Sequence, residues 1–256
     1  MGRQTTRTTQ QQCTPLPFLA GTSWGWTLSL AIIPLIPLGC NSKPSADDYF
    51  PLTPGLHWEY QVETDLRERT LTDRLHVDTL DATTLGTETA QVRRTSDGTD
   101  YYVTQRADGI YRIGKRTIVE QAPQTDTPAR MILPLPLQVG KNWSTLTQSY
   151  TVHRVIPNIE PPERSTLHFN MTYELAATDE TVTVPAGTFA HCLRVDGQAT
   201  LSLYADAKLG FHNFDATSRE WYCPSVGLVK LERVEPLDAE VFKGGKVTLE
   251  LVEFQD

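Results

Sequence analysis

The chain has 256 residues, with 31 acidic and 23 basic side chains, a formal net charge of −8 and a hydrophobic share of 39%. This acidic balance disfavours nucleic acid and anionic lipid headgroups as partners, and no basic run or basic amphipathic helix offsets it. The hydrophobic share suffices for a core, and the length beyond residue 40 suits one large domain or two small ones.

Residues 1–23 are polar and carry Arg3 and Arg7 but no acid; an apolar stretch then runs from Trp24 to Leu38 and ends in Gly39-Cys40. A positive start, a short apolar run and a small residue at the cut describe a secretory signal at 1–39. The run falls short of the roughly 20 residues that span a bilayer, and Pro34 and Pro37 oppose a spanning helix. Leu38-Gly39-Cys40 resembles the lipobox of bacterial lipoproteins, with a departure at Pro37, where that pattern prefers Leu. The resemblance implies cleavage before Cys40, a diacylglyceryl group on its thiol and a further acyl chain, palmitate-like, on the new N-terminus. Several acyl chains give lasting attachment, at about 0.8 kcal/mol per buried methylene. The alternatives are an ordinary cleaved signal with a chance cysteine and an uncleaved anchor. Residues 40–48 are polar and unpatterned and read as a tether. Asn41 stands where Asp would resemble an inner-membrane retention signal, so the same resemblance implies an outer-membrane anchor facing the periplasm.

From 49 to 256 the chain reads as mainly β. The clearest strand is 167–175: Leu167, Phe169, Met171, Tyr173 and Leu175 fall on one face, with His168, Asn170, Thr172 and Glu174 on the other. Such period-2 alternation marks a strand with one face on a core. Further strands are predicted at 58–62, 75–80, 90–95, 101–105, 110–113, 147–155, 192–195, 200–204, 220–223, 227–234 and 246–254. Turn signals stand at Ser96-Asp97-Gly98, Ala107-Asp108-Gly109, Asp196-Gly197 and Gly244-Gly245, the first two implying consecutive hairpins across 90–113. No stretch shows sustained helical periodicity with caps. The expected architecture is an antiparallel, strongly curved sheet, an open half-barrel or a sandwich, with few short helices. Two loops are expected, at 120–130 and at 156–165; the second, with Pro157, Pro161 and Pro162, could subdivide an otherwise single domain.

Four segments share a pattern. They are Tyr49–Tyr60 (YFPLTPGLHWEY), Leu135–Trp143 (LPLQVGKNW), Val182–Val195 (VTVPAGTFAHCLRV) and Glu220–Glu232 (EWYCPSVGLVKLE). In this order they are similar to an uncharacterised group of bacterial cell-envelope proteins related to TapB, an accessory protein of type IV pili. The resemblance spans about 49–235 and implies location more than activity; it carries no catalytic residue. Read physically, Pro54-Gly55…Trp58 and Val139-Gly140…Trp143 are turns feeding strands whose tryptophans plug a core. Gly187 is expected at positive φ, and Pro224 to Gly227 as a bulge within one strand.

Cys13 leaves with the signal and Cys40 takes the lipid, so Cys192 and Cys223 remain in an oxidising compartment. They read as one disulfide, with two buried free thiols as the alternative. No zinc site follows from two cysteines without C-x-x-C, and His57, His76, His153, His168, His191 and His212 are scattered without ligand spacing. No nucleophile elbow is present; Ser225 reads as a turn residue. Asp206, Asp215 and Glu220 could converge, though their spacing does not require it. Tyr101-Tyr102 and Trp221-Tyr222 could line a binding surface, but the expected arrangement puts one ring of each pair in the core and its neighbour in water.

The resulting expectation is a lipid-anchored envelope protein without cofactor or metal, serving as a non-enzymatic binding or assembly module for an envelope partner. The alternative is a carrier holding a lipid or other hydrophobic ligand in the concave face of the sheet, and a hydrolase ranks third. A filled interior favours the first and an open apolar groove the second.

Overall fold

The computed structural model describes residues 46–66, 69–155 and 167–256. Cys40, the signal and most of the tether lie outside the described residues, as does the proline-bearing segment 156–165. One helical turn, α1 (Ala46–Tyr49), precedes β1 (His57–Leu66), β2 (Arg69–Leu85), β3 (Glu88–Thr95), β4 (Asp100–Arg106), β5 (Gly109–Arg116) and β6 (Gln124–Pro134). Then follow β7 (Asn142–Gln148), β8 (His153–Arg154), β9 (His168–Val184), β10 (Gly187–Asp206), β11 (Gly210–Cys223), β12 (Gly227–Asp238) and β13 (Phe242–Gln255).

The thirteen strands of the described residues belong to one antiparallel sheet in the order β6-β5-β4-β3-β2-β1-β13-β12-β11-β10-β9-β7, with β8 against β13. The last strand pairs with the first, so the sheet edges are β6 and β7, which follow each other in the chain. These edges come together without a ladder, and the sheet is nearly closed into a barrel. Closure of this kind hides edges that would otherwise template aggregation. Strand alternation sets the inside: along β12, Val229, Leu231, Arg233, Glu235 and Leu237 are buried while their neighbours are less so. In β9 the predicted row holds, with Met171, Tyr173 and Leu175 buried. The main core includes these residues with Val103, Leu133, Trp143 and Tyr222. A second cluster surrounds Trp58, Val229, Leu251 and the two cysteines, and a third lies behind β3 to β5 around Val92, Tyr102 and Ile113.

Several expectations are corrected. Segment 120–130, expected as a loop, is largely β6, whose Pro128 is tolerated because an edge strand has no ladder on one side. The strand expected at 147–155 is displaced to β7; residues 149–152 instead wrap onto the distant Glu235 carboxylate. Asp196-Gly197 is not a turn: Gly197 lies mid-β10, where a Cβ would come 2.8 Å from the Tyr173 ring and 2.9 Å from Met171 Sδ. Gly244-Gly245 likewise lies inside β13, its Cα positions pressed against the carbonyls of Glu235 and Asp65. Pro224 to Gly227 is no bulge but the turn between β11 and β12.

Candidate functional site

Inward-facing side chains from nearly every strand surround a cavity of about 260 Å³. Much of the lining is aliphatic, including Leu75, Val77, Val103, Leu228, Leu231 and Leu249. Against this background stand Arg93 from β3, Arg112 from β5 and Arg130 from β6. Tyr60, Tyr101, Tyr173, Tyr222 and Trp143 add an aromatic wall, and Glu220 is the carboxylate among the lining residues.

The three arginines differ in how they are balanced. Arg112 makes a two-toothed ion pair with Asp126, Nε to Oδ2 at 2.6 Å and Nη2 to Oδ1 at 3.0 Å. Arg93 is buried, with its guanidinium carbon 4.0 Å from the Phe50 ring centroid and 4.5 Å from that of Trp58. Its Nη2 donates to the Pro51 carbonyl at 2.6 Å, while its Nε has no partner. Burial pulls its pKa down to about 10, against the opposing influence of Tyr60 and Tyr222. Arg130 stands directly opposite Arg112 in the β5–β6 register. Like charges across a strand pair are destabilising, and among the described residues no carboxylate lies within ion-pair distance of Arg130. Burial pushes its pKa down, but Tyr173, Tyr150, Glu220 and Tyr222 outweigh that and hold it above the usual arginine value. It is therefore a charged guanidinium facing a cavity.

Glu220 is already engaged. It accepts from Tyr222 Oη at 2.6 Å and from Ser218 Oγ at 3.2 Å. Burial and this carboxylate raise the Tyr222 pKa well above its usual value. Tyr173 Oη and Trp143 Nε1 have no hydrogen-bond partner, although both side chains are more than nine-tenths buried; their rings stack 5.7 Å apart at 16°. Setting Arg93, Arg112 and Arg130 against Asp126 and Glu220 leaves one net positive charge inside an acidic protein. An uncompensated buried ion costs several kcal/mol; Arg93 is buried, while Arg112 and Arg130 are half-buried, and with three unmet donors they form an arrangement that a ligand would relieve.

One side of this site is held by a second buried pair. Arg233 Nε lies 3.1 Å from Glu235 Oε1, both side chains almost fully buried. Glu235 accepts from Ser149 Oγ at 2.7 Å, from Thr151 N at 2.8 Å and from Tyr150 N at 3.1 Å. Burial would raise the Glu235 pKa, but these donors and Arg233 outweigh it and hold the carboxyl below its usual range. The strap so fastened carries Tyr150, which lines the cavity while remaining 40% exposed.

The other singled-out residues distribute as follows. Cys192 and Cys223 form a disulfide at adjacent rungs of β10 and β11, next to the Leu193–Tyr222 pair. Both Gly-x-x-Trp turns form, with Gly55 and Gly140 at positive φ and both tryptophans buried; Gly187 also has positive φ. Ser225 is a turn residue. Asp215 is exposed and bound to Thr200, on the face opposite Glu220, so these two do not converge; the Asp206 side chain lies outside the described residues. His57 pairs with Asp78 and the exposed His191 with Asp179, and no group of three potential metal ligands occurs among the described residues. Tyr101 lines the cavity, yet Tyr102 faces the third cluster rather than water. Arg93, Arg112 and Arg130 were not singled out by sequence. The available signal was Arg93-Arg94 within one strand, because alternation forces one of two adjacent arginines inward.

No family model matches the chain, and no curated protein does. Among solved structures, a candidate lipoprotein from Parabacteroides distasonis ATCC 8503 is 16% identical, with 81% of this chain and 98% of that one covered and a TM-score of 0.37. A candidate exported protein with a YmcC-like fold from Bacteroides fragilis NCTC 9343 is 13% identical, covering 81% of this chain and 99% of that one at a TM-score of 0.38. Likenesses this weak bear on neither mechanism nor ligand.

Proposed function

We propose that this chain is an envelope lipoprotein, anchored through acyl groups on Cys40, whose barrel-like domain binds a small molecule in its interior without transforming it. The observation that carries the binding role is the cavity of about 260 Å³, bordered by unmet buried donors at Arg93, Trp143 and Tyr173. Sites of this kind, mostly apolar with a few convergent polar groups, are the usual form of small-molecule pockets. The non-catalytic reading is supported by the engagement of the lining carboxylate, Glu220, which already accepts hydrogen bonds from Tyr222 and Ser218. The anchor rests on the Leu38-Gly39-Cys40 motif, and the outer-membrane, periplasm-facing setting on Asn41 and the likeness to the TapB-related group.

Two measurements test the two halves. Expressed in a bacterium fed labelled palmitate, the full chain should take up label and sediment with membranes, and Cys40→Ser should lose both. Native mass spectrometry of the detergent-released full chain should show a small-molecule adduct that denaturation removes; a ligand-free mass under all conditions would count against an interior site. A second reading, docking to an envelope partner, is favoured by Tyr204 and Phe211, exposed at 54% and 66% and packed together near the β10–β11 turn. Phe211→Ser would then weaken partner capture and leave the adduct unchanged.

A further inference from the structure

Resting on the interior-binding reading, we infer that the ligand is a small monoanionic amphiphile whose carboxylate-like head is read by Arg130 and whose apolar body lies along the aliphatic wall. Three observations converge on the anion. Arg130 and Arg112 are direct cross-strand partners facing the same interior, and the carboxylate nearby, Asp126, is committed to Arg112. The second interior carboxylate, Glu220, is bound by Tyr222 and Ser218 rather than by Arg130. The unmet atoms bordering the cavity, Arg93 Nε, Trp143 Nε1 and Tyr173 Oη, include two that can only donate. A neutral alcohol or an amine would leave the surplus positive charge in place; an anion removes it.

The geometry also indicates where the head lies. Tyr173 lines the cavity together with Arg130 and Tyr222, and Trp143, also in the lining, is stacked on its ring. Arg130, Tyr173 and Trp143 therefore present a guanidinium, a hydroxyl and an indole N–H in one neighbourhood. The aliphatic lining at Leu75, Val77 and Leu249 belongs to the second core cluster, around Trp58, and with Leu228 of the main core gives the apolar body its surface. A cavity of about 260 Å³ lies just under the roughly 300–1,000 Å³ of drug-sized pockets, which suits a medium-length chain rather than a two-chain phospholipid.

The test compares decanoate with decanol, matched in length and differing in the head, by calorimetric titration of the delipidated full chain in detergent. Decanoate should bind at least tenfold more tightly. Arg130→Met should weaken decanoate roughly 10- to 100-fold, the size of a charge-assisted hydrogen bond, and leave decanol binding unchanged, which also reports that the variant is folded. Arg130→Lys, which keeps the charge but not the fork, should recover part of the loss. Equal binding of the two probes, or equal weakening of both by Arg130→Met, would overturn the anion inference while leaving an interior hydrophobic site in place. Binding of neither would remove the interior site itself.

Discussion

At the residue scale, the interior of this protein is governed by charges that have few partners to choose from. Glu235 holds Arg233 and the strap 149–152 at once. Glu235→Gln should therefore cost about 3–5 kcal/mol, the penalty for leaving one member of a buried pair uncompensated, read as a lower urea midpoint; a loss near zero would mean the strap is held by other contacts. The same carboxyl sets a pH dependence. Burial opposes ionisation of Glu235 and of Asp100, but hydrogen bonds outweigh it, those to Asp100 coming from Arg94 and Arg116, so both pKa values are lowered. A lowered carboxylate contributes stability that is complete above its unfolded value and lost as pH falls through the folded one. Stability should hold at neutral pH and decline once pH drops below 4.5 for Glu235 and 3.8 for Asp100. Glu235→Gln should make that acid decline shallower; an unchanged slope would exclude Glu235 as its source.

At the element scale, long hairpins are fastened where the sheet needs register. The Cys192–Cys223 disulfide joins the start of β10 to the end of β11, 31 residues apart. Replacing both cysteines by alanine should cost on the order of 3 kcal/mol in the chain-entropy model, measured under non-reducing conditions; an unchanged urea midpoint would mean the cross-link adds nothing to stability. Gly197 fixes how β10 passes under β9. Gly197→Ala places a methyl within 2.8 Å of Tyr173 and 2.9 Å of Met171, and the overpacking should cost about 1–3 kcal/mol. Because Tyr173 lines the cavity, this variant should also alter ligand binding, whereas a purely structural defect would lower stability alone.

At the scale of the whole molecule, the closing of one sheet upon itself creates the candidate site. Antiparallel hairpins run from β1 to β6 and again from β9 to β13, and the pairing of β1 with β13 joins the two runs. That single long-range pairing turns two ribbons into a wall around a common interior. Filling the interior tests the consequence. Val103 lines the cavity and is 2% exposed; Val103→Phe should exclude decanoate and decanol alike, at a stability cost of about 1–3 kcal/mol. Undiminished binding of both would place the ligand elsewhere on the molecule.

The sequence by itself determined the β character, the alternating face of 167–175, the hairpins around Gly98 and Gly109, the two Gly-x-x-Trp turns and the cysteine pair. Each of these depends on residues close in the chain or on simple elimination among cysteines. It misread Asp196-Gly197 and Gly244-Gly245 as turns, because a glycine that admits a neighbouring strand looks locally like one that reverses the chain. It also placed a strand over 147–155, since the carboxylate that bends this stretch is Glu235, more than 80 residues away. The tertiary structure alone decided which arginines face inward together. Arg112 and Arg130 become neighbours only through the β5–β6 register, and the enclosure that makes them costly to leave unpaired arises only when the sheet curls nearly shut.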